Sequence, residues 1–468
     1  MSTASLSVPS DVRTAVRQLL RIALPLVAHG VVTVVATMND TVLLGRSGAA
    51  ALGSAAAAGS VLMVGVLLLT GLVGTPTQIL VARALGAGDE PGAARAAERS
   101  MPMVVACAAV MIGGLLVAAP PLVRAIGGSA IDPELAGLML RVAILGLPFT
   151  GLSVVARSYA TGRGATTVVV RSSLVAVAVD ILVSIALLPL LGPIGVTVGT
   201  AVSPLAGAAV FLAWIAKQRS QGVAMPRLLA AAMKLPGRTQ REPFRLGWSE
   251  GLLGATSAGA GVVVTVLLST NPPEVLAASR ALEALTVVCW PVLMGFSSAG
   301  LTLLSHARGA GSHDGYRYSL SALLRTSGAV GAALALTLPL VTVPVLKLSV
   351  GAEIAAVAKP VTWLAGLQAL WIVATTLSLS ICRSFRDTRT PLWSSLLGEH
   401  AVSLPVGWVL CRMLDGGIVG LYITHHIYYL AFALIATTSA VRHLLRPWQE
   451  RSRYEVERGV HSDVGADG

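Results

Sequence analysis

Two aspartates stand where acids are costly. Asp40 lies near the far end of the apolar run Leu24–Gly45, and Asp180 lies in Val177-Ala178-Val179-Asp180-Ile181-Leu182-Val183. A carboxylate at the centre of a membrane helix costs about 2.5–3.5 kcal/mol on insertion scales, so it faces a bundle interior or a watery cavity and serves transport or proton transfer. Asp40 is 19 residues past Arg21, about 28 Å along a helix, which sets it in the outer half of its run; an interfacial acid near Arg46 is the alternative. Asp180 is nine residues past Arg171, nearer mid-membrane, and its apolar neighbours offer no partner on the same helix. Two carboxylates held close together cannot both ionise cheaply, so one is expected to keep a proton near neutral pH. The chemistry such a pair offers is reversible uptake of a proton or a small cation.

Other polar residues in apolar surroundings have weaker readings. Glu399 and His400 fall inside one apolar stretch, as a helix-to-helix hydrogen bond or as substrate contacts. Glu283, beside Arg280, is an outer ion pair or a cleft-lining acid, and Glu250 reads as interfacial, without a role in transport. His425 and His426 are adjacent, hence about 100° apart on a helix, and cannot share one metal. No H-E-x-x-H or other nucleophile or metal set is present, so an enzyme is not expected. The four cysteines are scattered through apolar stretches without metal-ligand spacing and read as small fillers. Neither a metal nor a cofactor is expected.

The elements that must position these acids are membrane spans. A mean hydropathy of +0.77, with 54% hydrophobic and 12% charged residues in 468, excludes an ordinary soluble enzyme and a disordered chain. About 20 apolar residues cross a bilayer, and twelve such stretches occur, near residues 18–44, 50–80, 101–122, 137–157, 167–190, 194–216, 246–269, 279–304, 320–346, 357–382, 391–413 and 417–441. The expected fold is an all-α polytopic membrane protein of 12 transmembrane helices. The first stretch is too long for a signal peptide and is expected to be retained. The net charge of +12 could suggest nucleic acid, but 27 of the 34 Lys and Arg fall in the even-numbered spacers and the tails. By the positive-inside rule both termini are cytoplasmic.

The chain also repeats. Folded at the basic spacer 217–245, Leu85-Gly86-Ala87-Gly88-Asp89 falls on Arg308-Gly309-Ala310-Gly311-Ser312 at an offset of 223, and Arg157-Ser158-Tyr159 on Arg383-Ser384-Phe385 at 226. Six spans in each half make this a parallel repeat with its axis along the membrane normal, hence two pseudo-symmetric six-helix lobes around a central cleft. The expected organisation is a tail (1–17), an amino-terminal lobe (18–216), a basic linker (217–245), a carboxyl-terminal lobe (246–441) and a second tail (442–468). Asp89 and Glu90 could accept orphan amides of a following helix. The aromatic residues Trp290, Trp363, Trp371, Trp393, Trp408, Tyr422, Tyr428 and Tyr429 read as interface anchors by default, or as stacking partners for a cationic substrate.

These residues together resemble the multidrug and toxic compound extrusion (MATE) transporters. The resemblance rests on Met38-Asn39-Asp40-Thr41, Pro76-Thr77-Gln78 through Gly86-Ala87-Gly88, Arg157-Ser158-Tyr159 with Gly162, Trp290-Pro291-Val292 through Gly311, and Arg383-Ser384-Phe385-Arg386-Asp387-Thr388. It points within the family to the DinF-like branch, which carries a second aspartate on the fifth span. The resemblance implies cation-coupled export of amphiphilic organic compounds by alternating access, with Asp40 and Asp180 as the coupling pair and Pro25 as a hinge that bends with protonation. Two departures are the absence of an asparagine one turn before Asp180, where Ala176 stands, and of a glutamate in Gly254-Ala255-Thr256-Ser257-Ala258-Gly259. Glu283, Glu399, His400 and Tyr159 are the candidate cleft residues. The expected partners are a small amphiphilic organic substrate, H+ or Na+ as coupling ion, and the bilayer of the cell membrane; the chain is expected to act as a monomer. A lipid-linked precursor flippase of similar architecture is the alternative, but it calls for basic residues in the cleft, and nearly all Arg lie in spacers.

Overall fold

The computed structural model describes residues 6–127, 132–217, 225–234, 236–257, 264, 267–268, 271–287 and 289–446. Its amino-terminal bundle comprises α1 (Val12–Arg46), α2 (Ala49–Leu69) running through a π turn (Thr70–Gly74) into α3 (Thr75–Gly86), α4 (Glu90–Gly127), α5 (Pro133–Ile144), α6 (Leu147–Gly162), α7 (Thr166–Leu191) and α8 (Pro193–Lys217). A short α9 (Met225–Ala232) packs on α4 and buries Leu228. The second bundle comprises α10 (Arg241–Ser257), α11 (Pro273–Thr286), α12 (Cys289–Gly309), α13 (His313–Ser349), α14 (Ala352–Ala358), α15 (Thr362–Ser384), α16 (Arg389–Leu396), α17 (Leu404–Gly407) and α18 (Gly417–Leu445).

Among the described residues nine helices are long and apolar enough to cross a membrane, and α5 with α6, bent by 44°, makes a tenth. The other two expected spans fail the test for local reasons. The seventh runs into residues 258–263, outside the described residues, and the eleventh is cut into α16 and α17 by π turns at Leu397–Ser403 and Trp408–Met413. A π turn adds a residue to the backbone ring and is a frequent companion of functional sites.

The repeat is visible in the turns. After α3, Gly88 (φ 75°) donates to the Leu85 carbonyl and Asp89 to that of Ala84; after α12, Gly311 (φ 65°) donates to Arg308 and Ser312 to Ala307. A left-handed glycine closing a helix in this way satisfies carbonyls that the helix leaves orphaned. Asp89 then caps α4 through the Gly92 amide (2.7 Å) and Ser312 caps α13 through the Gly315 amide (3.1 Å). The offset of 223 therefore holds. The second offset does not: Gly164 (φ 72°) matches Arg386 (φ 59°), and the bonds Ala165→Ala160 and Asp387→Cys382 match each other, which gives 222 rather than 226. Matching Arg-Ser-aromatic to Arg-Ser-aromatic slid the alignment by four residues, one helical turn, where side chains share a face.

Leu6 and Leu444 pack on one hydrophobic cluster, so both described chain ends lie at one end of the molecule, here the terminal end. There the two bundles are sealed together. A Cβ on Gly86 would collide with the His306 carbonyl, and one on Gly309 with the Arg83 carbonyl, a reciprocal contact because 83 and 86 become 306 and 309 under the repeat. Gly30 likewise packs on Pro291, Gly295 on Ala23 and Val27, and Gly247 on Leu72. Gln78 Nε2 donates to the Ser298 carbonyl (2.9 Å) and Thr302 Oγ1 (3.0 Å), and Thr302 donates to the Thr161 carbonyl (3.3 Å). The amino-terminal segment crosses this seam, with Leu6 against Gly164 and Val8 against Gly315. Beyond Gly30, Val31, Val35, Met38 and Val42 form an exposed apolar face of α1.

Three expectations are sharpened or corrected here. Glu250 is not an exposed acid: it is 3% exposed and receives both Nε (2.8 Å) and Nη2 (2.6 Å) of Arg383, a bidentate pair tying α10 to the last turn of α15. Arg157 is not a spacer residue, because it lies within α6, five residues before that helix ends. The aromatics divide: Trp290, Trp363, Trp393 and Trp408 are exposed as interface anchors would be, whereas Tyr422 and Tyr429 are buried. Between α15 and α16, burial pushes the Asp387 carboxyl up, but hydrogen bonds from His443 and from the Thr390 hydroxyl and amide outweigh it and hold it at about 2.

Candidate cation site and cleft

Three helices of the first bundle position the acid pair. α7 and α8 approach closely because Gly199 has no side chain; a Cβ there would stand 2.8 Å from the Asp180 carbonyl oxygen and 3.0 Å from its Oδ1. That approach leaves Asp180 4% exposed, with its carboxylate laid over the α8 backbone. Thr200, the next residue on α8, shares its hydroxyl hydrogen between Asp40 Oδ2 of α1 (3.2 Å) and its own helix's Val196 carbonyl (3.2 Å), and also neighbours the Asp180 carboxylate, so one hydroxyl stands between two acids. Asp40 Oδ1, Asp180 Oδ1 and Asn39 Nδ2 are all buried without a hydrogen-bond partner. Among the described residues neither aspartate forms an ion pair. Buried acceptors in excess of donors, with no cation from the chain, form an arrangement that a proton or small cation completes.

Thr37 and Thr41 flank Asp40 on the chain but donate to the carbonyls of Thr33 and Thr37 on their own helix. Thr200 and Gly199 were not anticipated, since the sixth span offers only an apolar stretch with small residues. The one usable signal was that Gly199-Thr200 lies on the helix that follows Asp180 after a tight turn.

Eleven residues down α1 from Asp40 is a second polar group. Arg157 Nη1 of α6 donates to His29 Nε2 (2.9 Å), the Nδ1 of His29 faces the Ser173 hydroxyl of α7, and Ser173 donates to the Val169 carbonyl (2.8 Å). The direction of each bond follows from its ends: Arg157 can only donate and the Ser173 hydrogen is committed, so His29 is neutral with its proton on Nδ1. A histidine inside the first apolar run was the signal in the sequence; Arg157 gave none, because its helix end was misplaced.

The remaining candidates are dispersed. Glu399 and His400 lie on the π turn of the eleventh span, Glu399 half-buried and within electrostatic reach of Tyr428 and Tyr429 on α18, His400 exposed. Gly398 beside them lets the Tyr428 ring approach, and Tyr428 packs against Tyr429 (ring centroids 4.8 Å apart) and Phe432 (6.2 Å). Glu283 pairs with Arg280 at 2.7 Å on an exposed face of α11. Tyr159 is 3% exposed in the interior of the amino-terminal bundle, its hydroxyl accepting from Arg163, which also pairs with Glu90. Pro25 lies within α1, and His425 and His426 are both half-buried on α18.

The geometry can be set beside known proteins. The profile of the MatE family matches residues 25–186 and 255–409. The chain is 28% identical over 441 residues to the probable multidrug resistance protein NorM of Deinococcus radiodurans, covering 89% of this chain and 93% of that one. It is similar in structure to the eukaryotic MATE transporter AtDTX14 (TM-score 0.83, 16% identity, 96% of this chain and 99% of that one). It is also similar to a MOP superfamily transporter from Pyrococcus furiosus, described as having a binding pocket of reversed polarity (TM-score 0.80, 16% identity, 93% and 96%). Both likenesses carry the two-lobe, twelve-helix fold.

Proposed function

Because the chain belongs to the MATE family of secondary transporters, its work is transport rather than catalysis, and we propose that it is a proton-coupled antiporter exporting amphiphilic organic compounds across the cell membrane. The observation that carries the reading is the Asp40–Thr200–Asp180 group, a buried and a half-buried carboxylate around one hydroxyl with no cation of the chain's own. Protonation of one acid removes a like-charge clash and gives the group a donor; loss of that proton restores it. The sealed terminal end supports alternating access, since glycine-to-carbonyl contacts can separate without breaking a covalent or ionic link. Pro25 lies about one and a half turns from Gly30, where α1 meets the other lobe, which suits a hinge coupling the acid pair to the seam.

On this reading both termini face the cytoplasm, the structure is open to the outside, and Glu399 with Tyr428 and Tyr429 contributes substrate contact from the second lobe. The test is uptake into proteoliposomes of a lipophilic cation such as tetraphenylphosphonium under an imposed pH gradient or an imposed sodium gradient. The pH gradient is expected to drive transport, and Asp40→Asn and Asp180→Asn to abolish it. Transport driven by sodium alone rejects proton coupling, and native transport by the Asp40 variant rejects the coupling site.

A further inference from the structure

Arg157 is a cation without an anion. It lies within a membrane-spanning helix, it is partly accessible, and it makes one hydrogen bond, to a neutral histidine. Among the described residues no carboxylate reaches it. A guanidinium carries five N–H donors; here one is used. An unpaired charge at membrane depth is costly and marks a ligand or ion path unless a partner neutralises it.

Its place in the fold says where such a partner would come from. Thr161, one turn along α6 toward the terminal end, accepts the Thr302 hydroxyl of the opposite lobe, and Ser298, one turn back along α12 from Thr302, holds Gln78. Ser298 belongs to the seal, which continues along α12 to Pro291 against Gly30; Arg157, bonded to His29 beside Gly30, therefore lies level with the last of these contacts. His29 adjoins Gly30, whose backbone lies against Pro291 of α12. The guanidinium thus sits at the floor of the space between the lobes, held by a chain of bonds through His29 and Ser173 that fixes its orientation while leaving four donors free.

We propose that Arg157, oriented by His29, is an anion-binding subsite that receives the carboxylate, sulfonate or phosphate of a transported amphiphile. A guanidinium matches the planar or tetrahedral oxygens of such groups with paired N–H donors. Asp40 stands eleven residues farther along α1, about 16 Å away along the axis. One lobe therefore offers a basic floor and an acidic upper wall, an arrangement for molecules that carry an anion, alone or with a cation at the other end. This assignment rests on the transporter reading, because the subsite has access to both sides only if the seal opens.

The test uses two probes that share one ring system and differ in head-group charge, 1-pyrenesulfonate and pyrenyl-trimethylammonium. Binding is read in lipid nanodiscs as energy transfer from the protein tryptophans. The native chain is expected to bind the sulfonate, and Arg157→Gln to weaken it about tenfold to a hundredfold, as for a lost charge-assisted bond, while ammonium binding is unchanged or tighter. Arg157→Lys should recover part of the sulfonate affinity, since the charge returns without the fork. Equal loss of both probes would make Arg157 a structural residue and overturn the proposal, as would sulfonate affinity that is the same in native and Arg157→Gln protein. Proton-driven tetraphenylphosphonium transport by the same variants separates the two readings: its abolition by Asp40→Asn with unaltered sulfonate binding in Arg157→Gln sinks the anion subsite alone. Native transport by Asp40→Asn sinks the coupling reading and leaves the sulfonate result standing.

Discussion

Adding one methyl at Gly86 or Gly309 should push the molecule out of its sealed state. In Gly86→Ala the new carbon would stand 2.8 Å from the His306 carbonyl carbon and 3.0 Å from the Ala310 amide nitrogen; in Gly309→Ala it would stand 2.7 Å from the Arg83 carbonyl carbon. The obstacles are backbone atoms in helices of the opposite lobe, which cannot rotate aside as a side chain can. Overpacking of this kind costs about 1–3 kcal/mol, and the cost exists only while the lobes touch. The equilibrium between sealed and parted states should then shift about 5- to 150-fold toward the parted state. The double variant should shift it by less than the product of the two, because one separation relieves both contacts. Spin labels at Arg95→Cys on α4 and His313→Cys on α13, both half-exposed at the terminal end, would report the change as a longer inter-lobe distance by double electron–electron resonance. Gly113→Ala, with open space around it, is the control. A native distance distribution in Gly86→Ala/Gly309→Ala protein would show that the reciprocal contact does not hold the seal.

Three further outcomes are expected. Gly199→Ala should displace the Asp180 carboxylate from α8 and lower proton-driven transport at least tenfold while cation binding at the second lobe persists; retained coupling would show that this close approach does not position the acid. Glu250→Gln should lower unfolding stability by about 3–5 kcal/mol, the cost of leaving a buried partner charge uncompensated, whereas Glu250→Leu/Arg383→Leu should recover most of it in a double-mutant cycle. Asp387→Asn should cost about 2.4 kcal/mol at pH 7: a carboxyl held at about 2 against 3.8 in the unfolded chain stabilises fully above that unfolded value. The difference from native should vanish as pH falls through about 2, and a difference independent of pH would assign the loss to packing.

Hydropathy alone yielded the class of fold, because ten of the twelve spans are unbroken or singly bent apolar helices. It could not yield the eleventh as built, since π turns shift side-chain phase without changing composition. The aspartates were legible for a thermodynamic reason: nothing but function or a buried partner repays their cost, and Asp180 has no basic residue beside it. Thr200 was illegible because a threonine in a membrane helix usually bonds its own backbone, as Thr37 and Thr41 do, and Thr200 also reaches the Val196 carbonyl, so its second bond to Asp40 leaves no pattern in the sequence. The pairing of Glu250 was illegible for a related reason. Its partner Arg383 is 133 residues away, and long-range pairing leaves no local pattern. The misplaced repeat offset shows the same limit, since identity favoured one register and hydrogen bonding another.

The acid pair belongs to one lobe only. At the offset of 222 the counterpart of Asp180 is Val402, and near 223 the counterpart of Asp40 is Val263 in the sequence. For the proposed proton-coupled exchange, this asymmetry sets a ceiling on stoichiometry. Two lobes each bearing a pair could carry up to four protons per cycle, whereas one pair carries at most two. If two protons enter as one singly charged cation leaves, one net charge crosses inward, and a membrane potential of 100 mV adds about 2.3 kcal/mol to the drive. If one proton enters per such cation, the cycle is electrically silent and the pH gradient is its sole source of work. A current recorded across a supported bilayer of the reconstituted protein distinguishes these two cases, and the valines at the repeat-related positions of the second lobe are what reduce the choice to them.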